Sequence, residues 1–353
     1  MKKIRLIIVR LVFWFFGGLS TAVAQAPGDV ESLRGMLLSE HERGYLVGHH
    51  DDPMYGHDWK FEDGKSDVLA VTGHYPALMT FDLGHIELGD TANLDGVPFR
   101  RIREEIKKQY QRGGIVSLSW HVDNPVTGKS AWDNSDSTVV RQILKNKAVR
   151  QKFTAWLDRL ADYLLTIKEP IVFRPWHEHT GSWFWWGQEL CSKKEYLALW
   201  RLTVKHLKAR GVTGLVYAYS PGIEPQNAAE YLERYPGDKV VSVIGVDAYH
   251  YNGLDGTKDF QSHLDRMLRI MQEVCQTHRV AMAVTECGME SISDPQWFTG
   301  TLAPVINKYP LAYVQFWRNA YDNPTHFYAP YPGHASAADF KQFCTSPKAI
   351  MVK

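Results

Sequence analysis

The chain has 353 residues, 44% hydrophobic and 22% charged. That is enough apolar mass for a large core, and the balance excludes a disordered, collagen-like or membrane-transporter sequence. Lys and Arg number 40 against 39 Asp and Glu, a net charge of +1, so nothing points to a nucleic-acid partner.

The amino-terminal residues read as a secretory signal peptide. Lys2, Lys3 and Arg5 form a positive start, Leu11 to Leu19 is a short apolar run, and Ala22-Val23-Ala24 offers small residues for cleavage. Arg10 leaves the run shorter than the about 20 residues of a membrane span. Residues 1–24 are therefore expected to be removed, and residues 27–353 to form a single domain. No Cys follows the apolar run, so no lipid anchor is expected.

Beyond that segment, strands alternate with helices. Strand candidates are Gly44–Gly48, Ala77–Phe81, Ile115–Trp120, Pro170–Arg174, Gly214–Tyr219, Val240–Val246, Val280–Thr285 and Ala312–Trp317. Segments with 3.6-residue periodicity lie between them: Pro98–Gln111, Lys147–Thr166, Lys193–Arg210, Phe260–Thr277 and Gln296–Asn307. This order predicts an α/β fold with a parallel sheet, most economically a (β/α)8 TIM barrel. Residues 27–40 are expected to cap it. Cys191, Cys275, Cys287 and Cys344 have neither a zinc spacing nor a disulfide framework. An exported chain leaves room for one bridge, with no pair favoured.

A barrel places its chemistry at the carboxyl ends of its strands. Those ends carry His49-His50-Asp51-Asp52, Asp82, Ser119-Trp120-His121, Arg174 through His179, Tyr219-Ser220, Asp247 with Tyr249, Glu286, and Trp317-Arg318-Asn319. Two carboxylates stand out. Glu178 follows the fourth strand and Glu286 ends the seventh, so the two face each other across a central cleft. A retaining glycosidase needs such a pair about 5–5.5 Å apart, one a proton donor and one a nucleophile. The nucleophile needs a cation or donors nearby, and Arg174 is placed to supply one. The acid needs apolar or like-charged surroundings, for which Trp176, Trp183 and Phe184 are candidates.

The run Trp183-Phe184-Trp185-Trp186 lies between Gly181 and Gly187, which disfavours a helix interior. Indole faces stack on pyranose rings, and Trp183 is expected to face sugar. His177-Glu178-His179 lacks the helical four-residue spacing of a zinc protease, and its two His side chains are expected to point apart. The four residues from His49 read as a hydroxyl-binding edge or a surface loop. No metal and no cofactor is expected.

These motifs resemble glycoside hydrolase family 26. The stretch Arg174 to Gly187 resembles its acid/base signature and Val284-Thr285-Glu286-Cys287-Gly288 its nucleophile strand. Ser119-Trp120-His121, Gly245 to Tyr249 and Phe316 to Asn319 resemble further motifs. The resemblance implies a (β/α)8 fold and a retaining β-1,4-mannanase. The expected substrate is β-mannan polysaccharide or manno-oligosaccharide, although some members cut β-1,3-xylan or mixed-linkage glucan. It implies Glu178 as acid/base and Glu286 as nucleophile. His121, Trp183 and Tyr249 would line the sugar at the cleavage point, and His177 would support Glu178. Trp317 and Arg318 would bind sugar towards the non-reducing side. Tyr249 is also expected to donate a hydrogen bond to Glu286. The expected protein is an exported monomer, periplasmic or secreted.

Overall fold

The computed structural model describes residues 26–353, so the signal-peptide reading falls outside the described residues. Eight parallel strands form the barrel: β1 (Tyr45–His50), β2 (Leu78–Asp82), β3 (Ile115–Ser119), β4 (Ile171–Arg174), β5 (Leu215–Tyr219), β6 (Val241–His250), β7 (Ala281–Met289) and β8 (Leu311–Phe316). Each pairs with the next, and β8 closes on β1 from Leu46↔Tyr313 to His49↔Phe316. Every residue of β1, β2, β3, β4 and β8 is buried. Both faces of these strands are covered, which is why they read as continuous apolar runs rather than alternating ones.

The periodic segments are helical over Phe99–Gln111, Lys147–Leu164, Lys193–Ala209 and Thr257–Cys275. Their starts are written locally. Asn146 accepts from Ala148 N and Val149 N, and Ser192 with Glu195 forms a reciprocal capping box. The segment from Gln296 departs from a simple helix. Trp297–Leu302 is a π-helical turn, followed by a short α-helix at Ala303–Ile306. Pro304 has no N–H to continue an α ladder back to Gly300, and the Asp339 carboxylate accepts from Phe298 N and Thr299 N instead. Helices Asp67–Thr72, Val139–Lys145, Ala228–Tyr231 and Ala337–Cys344 are too short to leave a clear periodic signal.

The expected cap is a helix, Val30–Ser39, started by an Asp29–Ser32 capping box. Its Leu33 and Leu37 pack into an aliphatic cluster with Leu46, Ala77, Leu78, Ile115, Val172 and Val216, at the beginnings of the strands. A ninth strand, Ala349–Val352, pairs with the start of β1 and with Tyr75–Pro76. Helix and strand together seal the amino end of the barrel, and truncating Leu33 or Leu37 to Ala should cost about 2–5 kcal/mol. All four cysteines are free, so the bridge for which the sequence left room is not formed. Among the described residues no helix is long and apolar enough to cross a membrane.

Candidate active site

The opposite, carboxyl end of the barrel gathers buried charge, and a bulge between β6 and β7 organises it. Val284 pairs with Val246, but Glu286, two residues on, pairs with Asp247, the next residue of β6. The extra residue, Thr285, donates to Asp247 Oδ1 at 2.6 Å. A bulge of this kind re-aims the side chains around it, and here it sets Glu286 beside Asp247 and Tyr249. Tyr249 donates to Glu286 Oε2 at 2.6 Å. Arg174, buried at the end of β4, donates from Nη2 to Glu286 Oε1 and from Nη1 to Asp247 Oδ2 at 2.7 Å and Ser220 Oγ at 3.1 Å. Burial disfavours the guanidinium cation, but the charges of Asp247 and Glu286 outweigh it and raise the Arg174 pKa. Burial and the neighbouring Glu286 push the Tyr249 phenol well up, so it remains a donor. Asp247 is raised by burial in spite of Arg174.

Glu178 comes from the loop after β4. Both Trp176 and Glu178 have left-handed backbone, with φ of 57° and 52°. Such conformations cost energy in non-glycine residues and persist where surroundings fix them. Here the fixings are Tyr196 OH to Trp176 O at 2.7 Å, Trp186 Nε1 to His177 O at 2.8 Å, and Glu178 N to Ser220 O at 2.8 Å. Of the aromatic run, Phe184, Trp185 and Trp186 are buried and build this loop, while Trp183 is 39% exposed. Trp183 donates from Nε1 to Glu178 Oε2 at 2.7 Å. Burial raises the Glu178 carboxyl well above the usual range, and the charges of Asp247 and Glu286 push the same way. The expected contribution of Trp183 has the opposite sign, because its N–H favours the charged form. One oxygen from each of Glu178, Asp247 and Glu286 lies within 4.8 Å of the other two. The cleft can therefore deliver a proton from one side of a bond and a nucleophile from the other.

His121 sits beside this pair. Its Nδ1 lies 2.6 Å from Asp82 Oδ2, and its Nε2 lies 3.0 Å from His177 Nε2. Trp132, 47% exposed, stacks on the His121 ring at 5.1 Å with planes 8° apart. Trp317 and Arg318, after β8, lie on the β1 side of the cleft. Trp317 stacks on His50 at 4.3 Å. Arg318 pairs with Asp95 at 2.9 Å and donates to Tyr55 OH at 3.2 Å, while Tyr55 donates to Asp51 Oδ2 at 2.5 Å. His49, His50, Asp51 and Asp52 are all buried, not a surface loop.

His177 and His179 do part company. His179 is enclosed between the rings of Tyr196 and Tyr219, with neither ring nitrogen hydrogen-bonded. Among the described residues two sets are compact enough for a cation: Glu178, Asp247 and Glu286, and His50, Asp51 and Asp95. Each already borders an arginine, Arg174 and Arg318 respectively. All the residues expected at the site thus come to one end of the barrel. Sequence reasoning missed the roles of Asp82, Trp132 and Asp247 in the geometry. Two of them ended strand candidates and had that signal. Trp132 lies in an irregular stretch and had none.

Comparison with known proteins agrees with this geometry. A sequence profile described as glycosyl hydrolase family 26 matches residues 24–326. A mannan endo-1,4-beta-mannosidase of Bifidobacterium adolescentis is 31% identical over 315 residues, covering 81% of this chain and 31% of the relative. One from Bacillus subtilis is 29% identical over 208 residues, covering 55% and 56%. The chain therefore spans roughly a third to just over half of these two curated relatives. Among solved structures, a GH26 beta-mannanase from Bacteroides ovatus matches with a TM-score of 0.88 and 50% identity, covering 91% of this chain and 94% of that one. A modular endo-beta-1,4-mannanase from Cellulomonas fimi matches with a TM-score of 0.82 and 33% identity, covering 93% and 76%. With a barrel closed around two facing glutamates and a profile match over most of its length, the chain belongs to glycosyl hydrolase family 26.

Proposed function

We propose that the protein is a retaining β-1,4-mannanase acting on mannan, galactomannan or glucomannan. The observation that carries the reading is the approach of Glu178 and Glu286 to within 4.8 Å, oxygen to oxygen. Retention needs carboxyls about 5–5.5 Å apart, whereas inversion needs about 6.5–9.5 Å to admit a water between them. Glu286, held by Arg174 and Tyr249, attacks the anomeric carbon. Glu178 passes its proton to the leaving oxygen. The resulting glycosyl ester on Glu286 is hydrolysed by a water that gives its proton to the now ionised Glu178. Two inversions leave the β configuration. Trp183 and Trp132 offer exposed rings to the sugar faces, and Trp317 and Arg318 hold the chain towards its non-reducing side.

The relatives named mannan endo-1,4-beta-mannosidase support mannose as the sugar. The positive start and apolar run of the first residues support export to the periplasm or medium. A single barrel with its cleft complete in one chain supports action as a monomer, with a β-mannan or its oligosaccharides as the substrate partner. The test is a panel of mannan, galactomannan, β-1,3-xylan and lichenan, with proton NMR of the earliest product. Release from the mannans with the β anomer first is the expected result. The α anomer first would remove the mechanism, and release from only xylan or lichenan would remove the substrate.

A further inference from the structure

A second cavity adjoins the loop that carries Glu178 but is separate from the cleft. His179 and Thr180, which directly follow Glu178, line one side of it, and Glu224, Glu233 and Arg234, from the segment after β5, line the other. Gln188 lines it as well, and none of Glu178, Trp183, Tyr249 or Glu286 does. Its free space is about 120 Å³. One water needs about 10–15 Å³, so the room suits a ligand of roughly ten non-hydrogen atoms. Arg234 is only 6% exposed. It donates to Gln188 O at 2.9 Å, Cys191 O at 2.7 Å and Cys191 Sγ at 3.6 Å, and pairs with no carboxylate among the described residues. A guanidinium carries five N–H donors, and a buried charge is ordinarily paired, so Arg234 has both capacity and charge left over. On the other side, acceptors are held ready. Thr180 Oγ1 accepts from Gly222 N at 2.9 Å and donates to Glu224 Oε2 at 2.6 Å. Gly222 keeps this place open, because a Cβ there would stand 2.5 Å from Glu224 Oε2. Burial, then the Arg234 charge, lowers the His179 pKa well below the usual range, so its ring is neutral. Neither of its nitrogens has a partner among the described residues.

We propose that this cavity binds a single pyranose unit of a glycan, at a site distinct from the cleft. The mixture of charges selects the class. A cation would face Arg234, and Glu224 and Glu233 belong to neither of the sets compact enough to hold one. An anion would face the two carboxylates. Neighbouring hydroxyls of a sugar both donate and accept, so one ring can take N–H groups from Arg234 and Gln188 and give O–H groups to Glu224 and Glu233. The pyranose class follows from these groups alone, whereas its identity as a galactosyl branch or a mannosyl unit rests on the glycosidase reading above. The location suits a chain lying in the cleft. Thr180 is two residues from Glu178, so their Cα atoms are at most about 7.6 Å apart. Tyr251, 68% exposed, stands near both places. Burial raises its phenol pKa, and the charges of Glu178 and Glu224 push the same way.

The test is nitrogen-15 NMR of the full chain, following the side-chain N–H signals of Arg234 and Gln188 during titration with methyl α-galactoside and, separately, methyl β-mannoside. At least one of the two should shift these signals saturably, with a Kd at or below about 10 mM. Saturation by the galactoside assigns the site to side branches, and saturation by the mannoside alone assigns it to main-chain units. No saturable shift with either glycoside up to about 100 mM overturns the proposal. The double variant Gln188→Ala, Glu233→Ala removes one donor and one acceptor from exposed positions, and its melting temperature should match the wild type. The Kd read from Arg234 should rise at least about tenfold in that variant, the scale of one hydrogen bond to a charged group. An unchanged Kd would mean that Arg234 senses sugar bound elsewhere, in the cleft, and would overturn the proposal as well. The readout needs no hydrolysis. Failure of the glycosidase reading would show as inactivity on mannan, and failure of the second site as a silent Arg234 signal.

Discussion

Glu286 and Glu178 are the same residue type, facing each other across one cleft, and they are held in opposite ways. Glu286 lies in a strand, at a bulge, with a guanidinium on one oxygen and a phenol on the other. Glu178 lies in a loop with left-handed backbone, with a single indole donor and two carboxylates as neighbours. The cleft surrounds one with donors and the other with burial and like charge. The difference is the division of labour that the proposed mechanism asks for: donors aimed at Glu286, burial and like charge pressed on Glu178.

The sharpest way to break this comparison is to remove Glu286. Glu286→Ala should lower kcat on mannan by about 10⁴-fold or more, the scale expected when a covalent nucleophile is lost. Residual activity within a hundredfold of the wild type would mean that Glu286 forms no ester. Glu178→Ala should cost about 10²–10⁴-fold on mannan, the usual worth of general acid catalysis, and far less on an aryl mannoside that leaves unaided. Equal losses on the two substrates would deny Glu178 the role of acid. The raised Glu178 pKa gives the pH form of the same test. On the proposed mechanism the active form carries a proton there, so kcat/KM on mannan should fall as pH rises through that pKa.

Tyr249→Phe probes the donors on the nucleophile side. One preorganised donor is worth about ten- to a thousandfold in kcat, and the melting temperature should barely move because only a hydroxyl is removed. Activity within twofold would show that Arg174 suffices. The smallest expected effect is on the acid side. Trp183→Phe keeps a ring for the sugar but removes the N–H that favours ionised Glu178, so the alkaline limb on mannan should move to higher pH. A shift to lower pH would mean that burial by the indole, not its hydrogen bond, governs the acid.

The sequence was most legible where one residue carried one signal. Arg174 and Glu286 each stand at the end of an apolar run, and Glu178 follows Arg174 in the loop that the aromatic run builds. The aromatic run also read correctly in outline, since a glycine at either side broke the helical alternative. Contacts set by closure of the barrel left no such trace. The bulge at Thr285 brings Asp247 alongside Glu286 only through the pairing of β6 with β7. The meeting of His121 with His177 joins loops after β3 and β4. Trp132 reaches His121 from an irregular segment with no period to betray it. The His49 to Asp52 run looked like solvent-facing polarity because part of its covering layer, Trp317 on His50 and Arg318 on the neighbouring Tyr55, arrives from after β8.

The sealed amino end of the barrel also sets the orientation of the molecule. The helix Val30–Ser39 and the last strand, Ala349–Val352, both lie against the starts of the strands, on the far side from Glu178 and Glu286. A graft made beside Val30 or Val352, whether a tether to a bead or a carrier domain, would leave the cleft pointing away from its support. An immobilised form should therefore meet a long polymer with its open face outward, free of shadowing by the surface that holds it.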